Sequence, residues 1–248
     1  MTNLHSGAVV LSYKGKKLLG VLNTPAIPEG KRRPAVLFLH GFPGAEKNVD
    51  VQRRLLRKGI PSFALYFSGA WGSEGQYSFT GLVDQAAAGL SFLSSRPFVD
   101  RSRLAVFGFS MGGWTALNLA ARRPDLRGAA AVAPVGGPEL INPRTPEFIR
   151  RLSRPLRVSS AAALTRDFRK AVTAMNVYDA AARLKCPLLL VHGDCDPVVP
   201  CAVSRRVYAA ATVPKKLVLA KEGLHDFLDR RDWLARVAAD WLAARLRA

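Results

Sequence analysis

Apolar residues gather along this chain in short blocks separated by polar loops, and the spacing inside each block decides what it forms. Residues 34–40 (PAVLFLH) are almost wholly apolar, as in a strand covered on both faces of a parallel sheet. Residues 60–67, 104–107, 127–134 and 187–192 (PLLLVH) read as further buried strands, and 216–220 as the last one. Nearer the start, 8–13 and 17–23 read as two strands joined by a turn at Lys14-Gly15-Lys16. Helical spacing occupies the intervals. It predicts helices over 45–58 with Gly59 past its end, from a Thr80 cap to 95, over 110–121, over 178–184, over 203–211 and over 227–246. In the last of these, Trp233, Val237 and Trp241 recur at i, i+4 on one face and read as core anchors. Strands alternating with helices imply right-handed crossovers. The expected class is α/β, with a doubly wound, mostly parallel sheet flanked by helices.

The alternation breaks between 136 and 176. This segment carries Pro138, Pro143, Pro146 and Pro155 and then helical pieces with Phe148, Ile149, Leu152, Leu164 and Phe168. It reads as a small helical cap inserted over the sheet edge, within a single domain spanning 1–248.

Composition narrows the class further. No apolar run approaches the ~18 residues that span a bilayer. The start, MTNLHSGAVV, has neither a basic stretch nor an apolar one of the secretory kind. The three cysteines, Cys186, Cys195 and Cys201, are too sparse for a disulfide framework. They fit a reducing, cytoplasmic setting, although the spacing permits a Cys195–Cys201 bridge. Lys and Arg total 37 against 18 Asp and Glu, a formal charge of +19. Such an excess is compatible with nucleic acid, anionic membrane or acidic substrates. With no nucleic-acid motif beside it, it reads as a solvated arginine-rich surface. From 138 to 170 eight basic residues stand against three acidic ones; facing the cleft they would favour an anionic substrate, and facing away they would be solvated surface.

The chemistry centres on Gly108-Phe109-Ser110-Met111-Gly112, a G-x-S-x-G motif set between the 104–107 strand and the 110–121 helix. So sharp a turn pushes the Ser110 hydroxyl out at the carboxyl edge of the sheet, over a helix N-terminus suited to a negatively charged intermediate. A serine hydroxyl needs a base and a group that orients the base. Of four histidines, His5 lies in the amino-terminal tail, and His40 and His192 each end a buried strand before a glycine, where a histidine shapes the turn. His225, in the loop after the last strand, is the candidate base. The loop HGDCDPVVP offers Asp194 and Asp196. Asp196, deeper in the loop and held by Pro197, is the candidate orienting acid, while Asp194 reads as a turn residue. Two backbone N–H groups, of Met111 and of Phe42 in the HGFPG loop, are the expected oxyanion donors.

GFSMGG, HGFPG, HGDCDPVVP and EGLHDF occur in an order that resembles the α/β-hydrolase family, over nearly the whole chain from about residue 34. The resemblance is nearest to small serine esterases and to the catalytic domains of prolyl-oligopeptidase-like enzymes. It implies a Ser110–Asp196–His225 triad, a small-molecule acyl substrate and no metal or organic cofactor. No propeller domain precedes the motifs, and the 136–176 segment matches no lid tied to a substrate. The expected activity is therefore a serine esterase. A peptidase or acyl-peptide hydrolase on the same triad is its rival, as is a non-catalytic or anionic-surface binding protein on a hydrolase fold.

Overall fold

The computed structural model describes residues 4–247; the first three residues of the MTNLHSGAVV start, and Ala248, lie outside the described residues. Eight strands form one sheet: β1 (His5–Tyr13), β2 (Lys16–Thr24), β3 (Arg33–Leu39), β4 (Ser62–Leu65), β5 (Val99–Phe109), β6 (Gly128–Val132), β7 (Leu188–Gly193) and β8 (Lys215–Ala220). Their order across the sheet is β1-β2-β4-β3-β5-β6-β7-β8. β1 and β2 pair antiparallel, as β2 does with β4, and every later pair is parallel. The helices are α1 (Val49–Arg57), α2 (Leu82–Ser94), α3 (Met111–Ala120), α4 (Thr145–Leu152), α5 (Ala161–Ala174), α6 (Val177–Ala182), α7 (Ala202–Ala210) and α8 (Arg231–Arg247).

Strand periodicity sorts the core into two layers. Val36, Phe38, Ala105, Phe107, Ala130, Val132, Leu189 and Val191 face α1 and α8. The alternate residues Leu37, Leu39, Leu104, Val106, Ala129, Ala131, Leu188 and Leu190 face α2, α3, α6 and α7. Both faces of the central strands are thus dry, which is why those stretches read as continuous apolar runs. Ile149, Leu156, Leu164, Ala171 and Val172 of the 136–176 segment join the second layer. That segment is built of a 3₁₀ turn at Pro138–Leu140 followed by α4 and α5.

Register sets one level for the strand ends. Leu39 pairs with Gly108, Phe109 with Val132, Val132 with Val191, and Gly193 with Ala220. The residues that follow β3, β5, β6, β7 and β8 therefore emerge together along one carboxyl edge.

Three helix starts differ from the sequence reading. α1 begins at Val49 rather than 45, because Asn48 takes the left-handed conformation (φ 51°) and breaks the preceding turn. Thr80 does not cap α2. Its hydroxyl and its N–H both donate to Asp167 on α5, as does the Phe79 N–H, so the anion at this helix N-terminus comes from a distant helix. α8 begins at Arg231, after a left-handed Phe227 and a 3₁₀ turn. Its core stripe is Leu234, Ala235, Ala238, Ala239, Leu242, Ala243 and Leu246. Trp233, Val237 and Trp241 only flank this stripe, half-buried, because small alanines let the helix lie closer to the sheet than tryptophans would.

His40, the residue after β3, is buried and neutral. Its Nε2 accepts the Phe67 N–H at 3.2 Å, and Nδ1–H donates to Gly41 O at 2.7 Å. Burial outweighs the backbone bond to Gly41 and, with Lys47 nearby, lowers the imidazole pKa to about 4 from an ordinary 6.5. The unfolded chain therefore takes up a proton that the folded chain refuses. Stability is retained above pH 6.5 and is lost as pH falls toward 4, by on the order of 3 kcal/mol from this group. Urea unfolding of wild type and His40→Gln at pH 7.5 and pH 4.5 checks this: wild type should lose more stability between the two pH values than the variant does.

Candidate active site

Ser110 stands between β5 and α3 with φ 54° and ψ −118°, a conformation that costs an L-residue on the order of 1–3 kcal/mol. The surroundings impose it. The Ser110 N–H donates to Val132 O at 2.8 Å, and Ser110 O accepts from Gly113, Trp114 and Val135. The two motif glycines are required by close approach: a Cβ on Gly108 would fall on the Gly112 backbone, and one on Gly112 would fall on Leu39 O. β5 itself runs through Phe109, so the first half of the motif is strand.

The loops after β7 and β8 cross by the same device. Gly193 and Gly223 touch backbone to backbone, and Cys195 N–H donates to Gly223 O at 3.1 Å. This crossing brings Asp196 beneath His225. His225 Nδ1–H donates to Asp196 Oδ2 at 2.6 Å, and the Ser110 hydroxyl donates to His225 Nε2 at 3.1 Å. The imidazole also lies against the Phe109 ring, with centroids 5.2 Å apart. Three residues separated by up to 115 positions in sequence thus form one hydrogen-bonded line.

Exposure separates the two aspartates of the loop: Asp194 faces solvent, whereas the Asp196 side chain is fully buried. Burial by itself would push the Asp196 carboxyl up. Hydrogen bonds from His192, His225 and the Val199 N–H outweigh it and hold the group well below the usual carboxylate range. Oδ1 accepts the N–H groups of Val198 and Val199, both at 2.8 Å. The acid is therefore ionised at any pH near neutral, and it fixes the tautomer in which His225 Nε2 is free to accept a proton.

His192 has a part that sequence reading assigned only to the turn. It is fully buried, its Nδ1 accepts the Ser204 hydroxyl at 2.7 Å, and its Nε2–H points at Val199 O (2.9 Å) and Asp196 Oδ2 (3.2 Å). Two imidazoles thus share one carboxylate oxygen. A buried histidine four residues before an aspartate was the signal available for this contact.

The expected oxyanion donors border the same serine. Met111 opens α3 directly after Ser110, so its N–H is among the unpaired donors of a helix N-terminus. Gly41 packs against Ser110 Cβ and Phe109 O, which leaves Phe42 next along that loop, half-buried against Tyr77 and Phe79. Among the described residues no group of three or more His, Cys, Asp or Glu side chains is set to hold a metal ion. No described helix is long and apolar enough to cross a membrane.

Residues 68–222 match the family Peptidase_S9, the prolyl oligopeptidase family. The Mycobacterium tuberculosis protein Rv2307c is 29% identical over 192 residues, which cover 77% of this chain and 62% of that protein. The chain thus spans about three-fifths of the length of that relative. Esterase YjfP of Escherichia coli is 27% identical over 220 residues, 81% of this chain and 85% of its own. Among solved structures, Est1E from Butyrivibrio proteoclasticus with ferulic acid bound superposes with a TM-score of 0.79 at 19% identity. The match covers 97% of this chain and 100% of that one, a likeness of fold. With the family match covering well over half of its residues, this chain belongs to the prolyl oligopeptidase family and has the α/β-hydrolase fold.

Proposed function

We propose that this protein is a serine esterase that cleaves a carboxylic ester through an acyl-enzyme. One observation carries the reading: the unbroken hydrogen-bonded line from the Ser110 hydroxyl through His225 to a buried, ionised Asp196. In the proposed reaction Ser110 Oγ attacks the ester carbonyl carbon as its proton passes to His225 Nε2. The resulting imidazolium is stabilised by Asp196, and the tetrahedral oxyanion by the N–H groups of Met111 and Phe42. On collapse His225 gives its proton to the departing alkoxide, leaving Ser110 acylated. Water, deprotonated by the same imidazole, then attacks the acyl carbon, and Ser110 leaves with its proton restored.

Residues 136–176 act in this reading as a cap over the cleft, within one domain. The excess of basic over acidic side chains on this segment supports a small acyl substrate carrying negative charge. The three free thiols fit the cytoplasm as its location. The Escherichia coli relative is named an esterase, which favours esters. The family favours a second reading, a peptidase on the same three residues. Parallel assays of p-nitrophenyl esters and of aminoacyl p-nitroanilides separate the two; esters should turn over faster.

Ser110→Ala should lower kcat for p-nitrophenyl butyrate by roughly 10⁴–10⁶ with the fold intact by circular dichroism. A folded variant that keeps near-full activity contradicts the reading. Asp196→Asn should cost on the order of 10⁴ in kcat, because the amide no longer enforces the histidine tautomer. Asp194→Asn, altering an exposed side chain, should cost far less, and steady-state kinetics of the pair would reveal a reversal.

A further inference from the structure

Arg231 opens α8 and makes five hydrogen bonds through one guanidinium. Nε and Nη2 hold the two Asp50 carboxylate oxygens at 2.9 and 2.6 Å. Nη2 also reaches Glu46 Oε1 at 3.2 Å and Asn48 Oδ1 at 3.3 Å. Nη1 donates to Asp226 O at 3.3 Å. The side chain is only 19% exposed.

Two local rules are broken to make this cluster. A cation at the N-terminus of a 17-residue helix opposes the helix dipole. Asn48, of a residue type that caps helices well, stands at the N-cap of α1 without capping it; its side chain accepts from Arg231 while its backbone is held left-handed at φ 51°. Glu46 supports the strained turn by accepting the Asn48 N–H. Local conflicts of this kind are expected where function constrains the fold.

The cluster also joins two loops of the site. Glu46, Asn48 and Asp50 follow the loop that carries Phe42, and Asp226 follows His225. Among the described residues, the backbone of 224–226 makes a single hydrogen bond, the one from Arg231 to Asp226 O. Left-handed Glu222 (φ 56°) and Phe227 (φ 55°), the latter fully buried, bracket this stretch, but neither ties down its middle.

We infer that Arg231 is a positioning residue for the reaction: it locks the His225 loop to the loop after β3, so that base and oxyanion donor keep a fixed spacing. The inference rests on the reading of Ser110, His225 and Asp196 given above. The guanidinium touches none of the reacting atoms. Its planar fork matches a carboxylate through two parallel bonds while a third N–H is left for the Asp226 carbonyl, and an ammonium cannot reproduce that geometry.

The test compares Arg231→Gln with Lys58→Gln, which removes a different tie to α8, the 2.9 Å ion pair between Lys58, at the end of α1, and Asp240. Ester turnover and thermal unfolding are measured for both, beside wild type and Ser110→Ala. A loosened base should lower kcat of Arg231→Gln roughly ten- to a hundredfold, with KM within about twofold of wild type. Lys58→Gln should keep its kcat. Arg231→Lys, which keeps the charge and loses the fork, should fall between wild type and Arg231→Gln, and it serves alone if the glutamine variant does not fold. An unchanged kcat in the folded Arg231 variants overturns the inference, and so does an equal fall in Lys58→Gln at an equal loss of Tm. A wild type whose turnover does not depend on Ser110 overturns the esterase reading itself, and this role with it. An unaffected Arg231 variant of a Ser110-dependent enzyme overturns the role alone.

Discussion

A carboxylate buried without water must find donors for its lone pairs or take up a proton, and Asp196 finds them. Two backbone N–H groups and two imidazoles converge on it, and together they reverse the effect of burial on its charge. Much of the carboxyl edge serves that arrangement. Gly193 and Gly223 let two loops touch so that His225 can reach Oδ2, and Val199 turns back so that its amide can reach Oδ1. His192, itself pinned by Ser204, closes the remaining side. A protonated Asp196 would leave the His225 tautomer unfixed and the Ser110 hydroxyl without a defined acceptor.

The second constraint is backbone strain at Ser110. The parallel register brings Leu39, Gly108 and Val132 to one level, and α3 must start there against two neighbouring strands. Only glycine on either side of the serine allows that approach. Strain at Ser110 is thus sustained by sheet pairing on both flanks, and the residue stands at the start of α3 beside Gly41 of the loop after β3.

Most of the sheet was legible because its central strands are dry on both faces, and unbroken apolar runs have few other homes. Ser110, Asp196 and His225 were legible for a different reason. Each sits within two residues of a glycine or proline, just after a strand, and chain order then limits the choice. The placement of Asp196 over Asp194 rested on Pro197 in the sequence and appears in the fold as burial against exposure. Helix starts were less legible, because their partners lie far away in the chain. Thr80 looked like a cap until Asp167, 87 residues on, took its place. Helical composition from 45 onward could not disclose that Arg231, 183 residues beyond Asn48, draws that side chain away from the helix. The tryptophans of α8 do pack against the core, as their spacing suggested, but half-buried at its edge, while alanines and leucines fill its centre.

The most direct test of the hydrogen-bonded line is covalent. Intact protein is treated with a fluorophosphonate, digested, and its adduct located by mass spectrometry. One equivalent of label is expected, on Ser110, with labelling that is lost when the protein is unfolded beforehand. No adduct on the folded protein, or label on another serine with Ser110 unmodified, would contradict it.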